Sequence, residues 1–100
     1  MNKILNKNLN KVIKDTVYII HRDWESKDVK VVAEVYVDKN LSLEQKIDKA
    51  YMLTNSIEDA WWNNDDVHAL YETRSTSVGD QVLIGERKFE YCDFGHREIT

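Results

Sequence analysis

One helical stripe constrains this chain more than any other feature. Ser42 and Gln45 have the spacing of a capping box, in which the serine oxygen accepts from a first-turn N–H and the glutamine reaches back. Glu44 suits the positive end of the helix dipole. Leu43, Ile47, Ala50, Tyr51, Thr54 and Ile57 then recur with a period near 3.6. The pattern predicts a helix from Leu43 to about Ile57. A single apolar stripe needs a single surface to cover, and the flanking sequence offers one.

That surface reads as a sheet. Residues Thr16–Arg22, TVYIIHR, are β-branched and aromatic, as a strand requires. After the polar DWESKD, the run VKVVAEVYVD alternates. It places Val31, Ala33, Val35 and Val37 on one face, and Val32, Glu34 and Tyr36 on the other. Two such runs joined by a polar loop predict an antiparallel pair with one covered face. Beyond the helix, VHALYE alternates weakly. GDQVLI leads into GERKFEYCDF, with Gly85-Glu86 as a hairpin turn between Ile84 and Arg87. The fold class is therefore α+β: a small antiparallel sheet packed by one main helix, with two to four short strands in the last third.

One hundred residues make one domain, and 42% apolar with 32% charged residues describes a globular chain. There is no proline, no linker and no repeat. Residues 1–15 stand apart as a basic amphipathic helix or arm ahead of a compact domain of residues 16–100. In the arm Ile4, Leu5, Leu9, Val12 and Ile13 have helical spacing, with lysines between them. It lacks the aromatic anchors of a membrane-surface helix, so no membrane role is expected. No apolar run is long enough to span a bilayer, and no apolar core of a secretory signal is evident. Cys92 is the only cysteine, so no internal disulfide can form and a cytoplasmic location is expected.

Charge is unevenly spread. The arm carries Lys3, Lys7, Lys11 and Lys14 against Asp15 alone, a net of +3, which leaves −7 on the other 85 residues of a chain with net charge −4. Residues 58–72 hold Glu58, Asp59, Asp65, Asp66 and Glu72 with no lysine or arginine, and Trp61 and Trp62 lie among them. Aromatic anchors rimmed by charge suit a protein interface, and an acidic surface can also imitate a phosphate track. The competing reading is core closure by one tryptophan, since adjacent side chains diverge.

Other constellations are thinner. His21-Arg22-Asp23-Trp24 at a strand end combines an imidazole, a guanidinium and a carboxylate, which suits anion binding or acid–base work. Its structural reading is a polar strand exit with Trp24 capping the core. A small enzyme would use His21, Asp23 and the Arg74–Ser77 box, yet the box has neither a nucleophile elbow nor a phosphate loop's glycines. Val78-Gly79-Asp80 reads as a turn with Gly79 at positive φ, Asp80 bonding locally and Arg74 pairing with an acidic neighbour. Cys92 and His96 supply two of the four ligands zinc wants, so no metal or other cofactor is expected.

Three segments together carry a resemblance: AYMLTNSIEDAWWNNDDV, RSTSVGDQV and FEYCDFGHREI. With VYIIHRDW and VVAEVYV they resemble a family of small proteins from phages and mobile elements, over about residues 17–99. The arm lies outside the family pattern, and Gln81 stands where an aliphatic residue belongs. The resemblance implies an accessory protein that is not an enzyme and that binds and modulates a host protein. A counter-defence inhibitor of the anti-CRISPR or anti-restriction type is one form this takes. The partner-binding residues would be Glu58, Asp59, Trp61, Trp62, Asp65, Asp66 and Glu72. The alternative is a nucleic-acid-binding accessory protein using Lys3, Lys7, Lys11, Lys14, Arg22, Arg74 and Arg97.

Overall fold

The structure is a computed structural model that describes residues 13–56 and 59–99. Strands β1 (Lys14–Arg22) and β2 (Val29–Asp38) form a long antiparallel hairpin. Helix α1 (Leu43–Thr54) and a 3-10 turn (Trp61–Asn63) follow. Strands β3 (Val67–Ala69), β4 (Gln81–Ile84), β5 (Arg87–Cys92) and β6 (Gly95–Ile99) complete one antiparallel sheet in the order β3-β2-β1-β4-β5-β6. The α+β class, the hairpin and the helix start agree with the sequence reading. Four strands follow the helix, the upper end of the expected range. Among the described residues no helix is long and apolar enough to cross a membrane.

The core lies between one sheet face and α1. Val17, Ile19, Ala33, Val35, Val37, Val82, Phe89 and Tyr91 come from the sheet, Ile47 and Ala50 from the helix, and Trp61 from the 3-10 turn. Antiparallel partners share a face, so the pairs Val17–Val35, Ile19–Ala33 and Ile19–Val82 bring these side chains into one layer. Tyr91 ties the layers together, its hydroxyl donating to the Ile47 carbonyl at 2.8 Å. Burial pushes that phenol's pKa up, so it stays a donor.

Two details depart from the sequence pattern. Strict alternation assigns Val32 to the face opposite Ala33, yet both are buried. Ile19 pairs with Ala33 and Ile20 with Val31, so Val32 is the extra residue of a β-bulge that shifts the phase of the strand. Its carbonyl accepts from Leu70 N–H at 2.8 Å and Tyr71 N–H at 3.2 Å, which bends the chain after β3 around the sheet edge. The helix also stops at Thr54, short of Ile57, which lies outside the described residues. Its end is taken over by the Arg74–Ser77 segment: Thr76 N–H donates to Thr54 O at 2.9 Å, and Asn55 Nδ2 donates to Thr76 O at 2.6 Å. Tertiary partners replace the next helical turn.

The helix start is built as the capping box requires, with Gln45 N–H donating to Ser42 Oγ at 3.1 Å and Ser42 N–H to Gln45 Oε1 at 2.9 Å. Ser42→Ala should therefore lower stability by about 1 kcal/mol, read as a Tm drop of about 4–8 °C. Gly79→Ala should cost more, because φ is +96° there and a Cβ would meet the Trp24 ring at 2.5 Å. A Tm for Gly79→Ala no lower than for Ser42→Ala would show that the Trp24 contact yields readily.

Candidate functional site

The acidic segment divides into a structural part and a surface part. Trp61 is buried at 2% exposure, and its Nε1 donates to Thr73 O at 2.9 Å. It is a core residue whose truncation would remove about 3–5 kcal/mol, and it cannot serve as a contact anchor. Trp62 is half-buried, edge-on to Trp61 with centroids 5.5 Å apart. Core closure therefore holds for Trp61 and largely for Trp62.

The carboxylates lie outward. Asp59, Asp65 and Glu72 are exposed. Asp59 also accepts from Ala60 N–H at 2.7 Å, just ahead of the 3-10 turn. Asp66 is half-buried and stands 3.8 Å from Lys14. Lys14 opens β1, two residues before the expected strand start, so this lysine of the basic arm sits within the sheet and faces the acidic segment. Glu58 lies outside the described residues, as do Lys3, Lys7 and Lys11. The structure adds two residues that the sequence reading missed. Leu70 and Tyr71 follow β3 at the sheet edge and are 46% and 51% exposed. The sequence signal is the adjacent pair of large apolar residues itself, which interrupts the weak alternation of VHALYE.

A second locus lies where β1 ends. Asp80 is fully buried and its carboxylate collects donors from three residues on two chain segments. Arg74 binds it with both terminal nitrogens, Nη1–Oδ2 at 2.6 Å and Nη2–Oδ1 at 2.7 Å. Arg22 N–H donates to Oδ1 at 3.0 Å and Ser77 N–H to Oδ2 at 2.8 Å. Arg74 also reaches the Arg22 carbonyl at 3.0 Å. Burial alone would raise the Asp80 pKa. The Arg74 hydrogen bonds and the two backbone donors outweigh it and hold the carboxyl below its ordinary value of 3.8. The expected Arg74 ion pair and Val-Gly-Asp turn are thus both present, joined in one network.

His21 completes the cluster. Its Nε2 is 2.9 Å from Thr76 Oγ1 and 3.8 Å from Asp80 Oδ2. A carboxylate on that side favours the Nε2–H tautomer and leaves Nδ1, buried and without a partner, as a bare acceptor. Desolvation lowers the His21 pKa from 6.5 to about 4; the Asp80 charge opposes this and the Arg74 and Lys30 charges add to it. The imidazole is therefore neutral at pH 7.

A cavity of about 250 Å³ opens beside this cluster, lined by His21, Arg22, Asp23, Lys30, Thr73 and Arg74 among others. The structure thus joins His21 and Asp23 to the edge of the Arg74–Ser77 box. It does not place a serine on the imidazole, because Ser75 Oγ is directed to Ser56 O and Ser77 Oγ accepts from Arg74. Trp24 does not cap the core as expected. It is 51% exposed, lies against Gly79, and has the Arg74 guanidinium 5.4 Å from its ring. Of the basic residues expected on a nucleic-acid track, Arg22 and Arg74 meet here. Arg97 is on edge strand β6, paired with Glu90 at 3.1 Å, and Lys14 is beside Asp66. No clustered metal site occurs among the described residues.

The pKa directions fix a pH dependence. The unfolded chain protonates His21 near pH 6.5 while the fold resists until about pH 4, so stability is complete above pH 6.5 and falls as pH drops through that window. Loss of the Asp80 interactions follows below about pH 3.8. Thermal melts across pH 4–7 should show a shallower decline for His21→Gln than for the native chain, and parallel slopes would contradict the buried neutral imidazole. Asp80→Ala should cost about 3 kcal/mol or more, since it orphans Arg74 and two backbone donors, and a loss near 1 kcal/mol would reduce the cluster to a surface pair.

No known protein family, curated protein or solved structure matches the chain.

Proposed function

We propose that the chain is a protein-binding accessory module, of the phage or mobile-element kind, that attaches to a basic surface of a host protein and modulates it. The observation that carries this reading is the sheet edge at β3. There Leu70 and Tyr71 are half-exposed side by side, and Asp59, Asp65 and Glu72 stand exposed on the segments that lead into and out of β3. An apolar pair rimmed by carboxylates, with Lys30 Nζ 4.1 Å over the Tyr71 ring, has the composition of an interface centre with a polar, steering rim. The open side of β3 also leaves backbone groups available for strand addition. The contact residues are Asp59, Asp65, Leu70, Tyr71 and Glu72, with Trp62 at the margin and Trp61 as support. Counter-defence, as an anti-CRISPR or anti-restriction inhibitor, rests on the resemblance alone and narrows the search for the partner to nucleic-acid-binding host enzymes. Such enzymes present basic surfaces that an acidic edge complements.

The test is affinity capture from nuclease-treated host lysate, with the native chain beside Asp65→Lys/Glu72→Lys. The double reversal should cut recovery of a stoichiometric partner at least tenfold, a change of about 1.4 kcal/mol or more, while the melting temperature holds. Equal recovery with both chains would remove the acidic edge as the contact surface.

A further inference from the structure

The cavity beside Arg74 carries features the protein-binding reading does not use. Two cations line it, Arg22 and Lys30; neither makes an ion pair among the described residues, and Lys30 Nζ lies 4.1 Å over the Tyr71 ring. Arg74, the third, is held by Asp80 and so acts as a fixed wall. Two nitrogens of its lining residues are buried with no partner, His21 Nδ1 and Arg22 Nε. His21 itself is 95% buried by its 5% exposure, so water does not readily satisfy that imidazole. Hydroxyls of Ser26 and Thr73 complete the polar wall. An adjoining depression shares Arg22, Asp23 and Arg74 and adds the half-exposed Trp24 ring.

We propose that this cavity is a nucleotide site. The phosphate is held by Lys30 and Arg22, whose charges lack carboxylate partners. Thr73 and Ser26 supply hydrogen bonds to the sugar hydroxyls. The cavity, at about 250 Å³, takes the phosphate and sugar, and the base extends into the adjoining depression against Trp24. Stacking on an exposed aromatic ring beside phosphate-binding cations is the usual physical basis of sequence-tolerant nucleotide binding. Three acidic residues share the lining, Asp23 and Asp28 in the cavity and Glu25 in the depression. Asp23 is engaged by Glu25 N–H at 2.8 Å and Ser26 N–H at 3.0 Å. The Asp28 carboxylate accepts no hydrogen bond among the described residues, its backbone carbonyl alone accepting from Asp23 N–H at 2.7 Å, and it opposes a phosphate, which gives the site a test of opposite sign. A free mononucleotide and the terminal nucleotide of a single strand present the same chemistry.

The experiment is a titration of the full-length ¹⁵N-labelled chain with AMP, followed by amide shifts. Adenosine, inorganic phosphate and a hexadeoxyadenylate with or without a 5′-phosphate serve as the other arms. AMP should give saturable shifts at Trp24, Lys30, Thr73 and Arg74, with adenosine and phosphate each about tenfold weaker. Lys30→Gln should weaken AMP about fivefold, and Asp28→Asn should tighten it about two- to threefold. A 5′-phosphorylated strand that binds more tightly than AMP would support the site and name strand ends as its source; equal or weaker binding would support it and name the free nucleotide. Absence of saturable shifts at about 10 mM AMP would overturn the proposal, as would AMP affinity unchanged by both substitutions.

Discussion

The carboxylate of Asp80 is the point on which this fold turns. A fully buried charge is tolerated only when its hydrogen-bonding capacity is filled, and here the filling comes from Arg22, Arg74 and Ser77. Those residues belong to the end of β1 and to the connection between β3 and β4. The connection from Leu70 to Asp80 has no strand or helix of its own, and long irregular segments of this kind are held only by specific partners. Asp80 supplies them by fixing Arg74 and the turn at Gly79, which sets where β4 enters beside β1. Thr76, in the same segment, caps the end of α1 through Thr54 and Asn55. One carboxylate thus connects the sheet, the helix and the loop that crosses between them.

This arrangement separates two roles within one stretch of sequence. Trp61 fills the core, and its indole N–H is spent on Thr73. Asp59, Asp65 and Glu72 around it have no core role and face outward. An indole and a carboxylate a few residues apart therefore answer different demands, one of packing and one of surface. The same division holds at the neighbouring Asp80 cluster. Asp80 and Arg74 are structural, while Arg22 and Lys30 beside them have no ion-pair partner among the described residues.

Much of the architecture was legible because its signals are local. The capping box, the stripe from Leu43 to Thr54, the β1–β2 hairpin and the Gly85 turn each follow from a few neighbouring residues. What was hidden depends on residues far apart in the chain. The bulge at Val32 answers to the β1 register and to the return of Leu70 and Tyr71. The helix stops at Thr54 because Thr76 arrives from 22 residues on. Trp24, expected in the core, is placed instead by the absence of a side chain at Gly79. The acidic segment was visible in the sequence, but not its split between Trp61 inside and Leu70-Tyr71 outside. The cavity was half visible: His21, Arg22 and Asp23 are contiguous, whereas Lys30 and Arg74 join them only through the hairpin register and the Asp80 network.

The claim that Asp80 organises the fold makes a direct demand on two amides. Arg22 N–H and Ser77 N–H are bonded to the buried carboxylate rather than to a strand ladder. Native-state hydrogen exchange of the full chain at neutral pH reads both. The account predicts that they exchange only with global unfolding, as slowly as the central β1–β2 amides. Exchange as fast as that of the exposed Asp23–Asp28 loop would contradict it and would leave the long connection held by its neighbours alone.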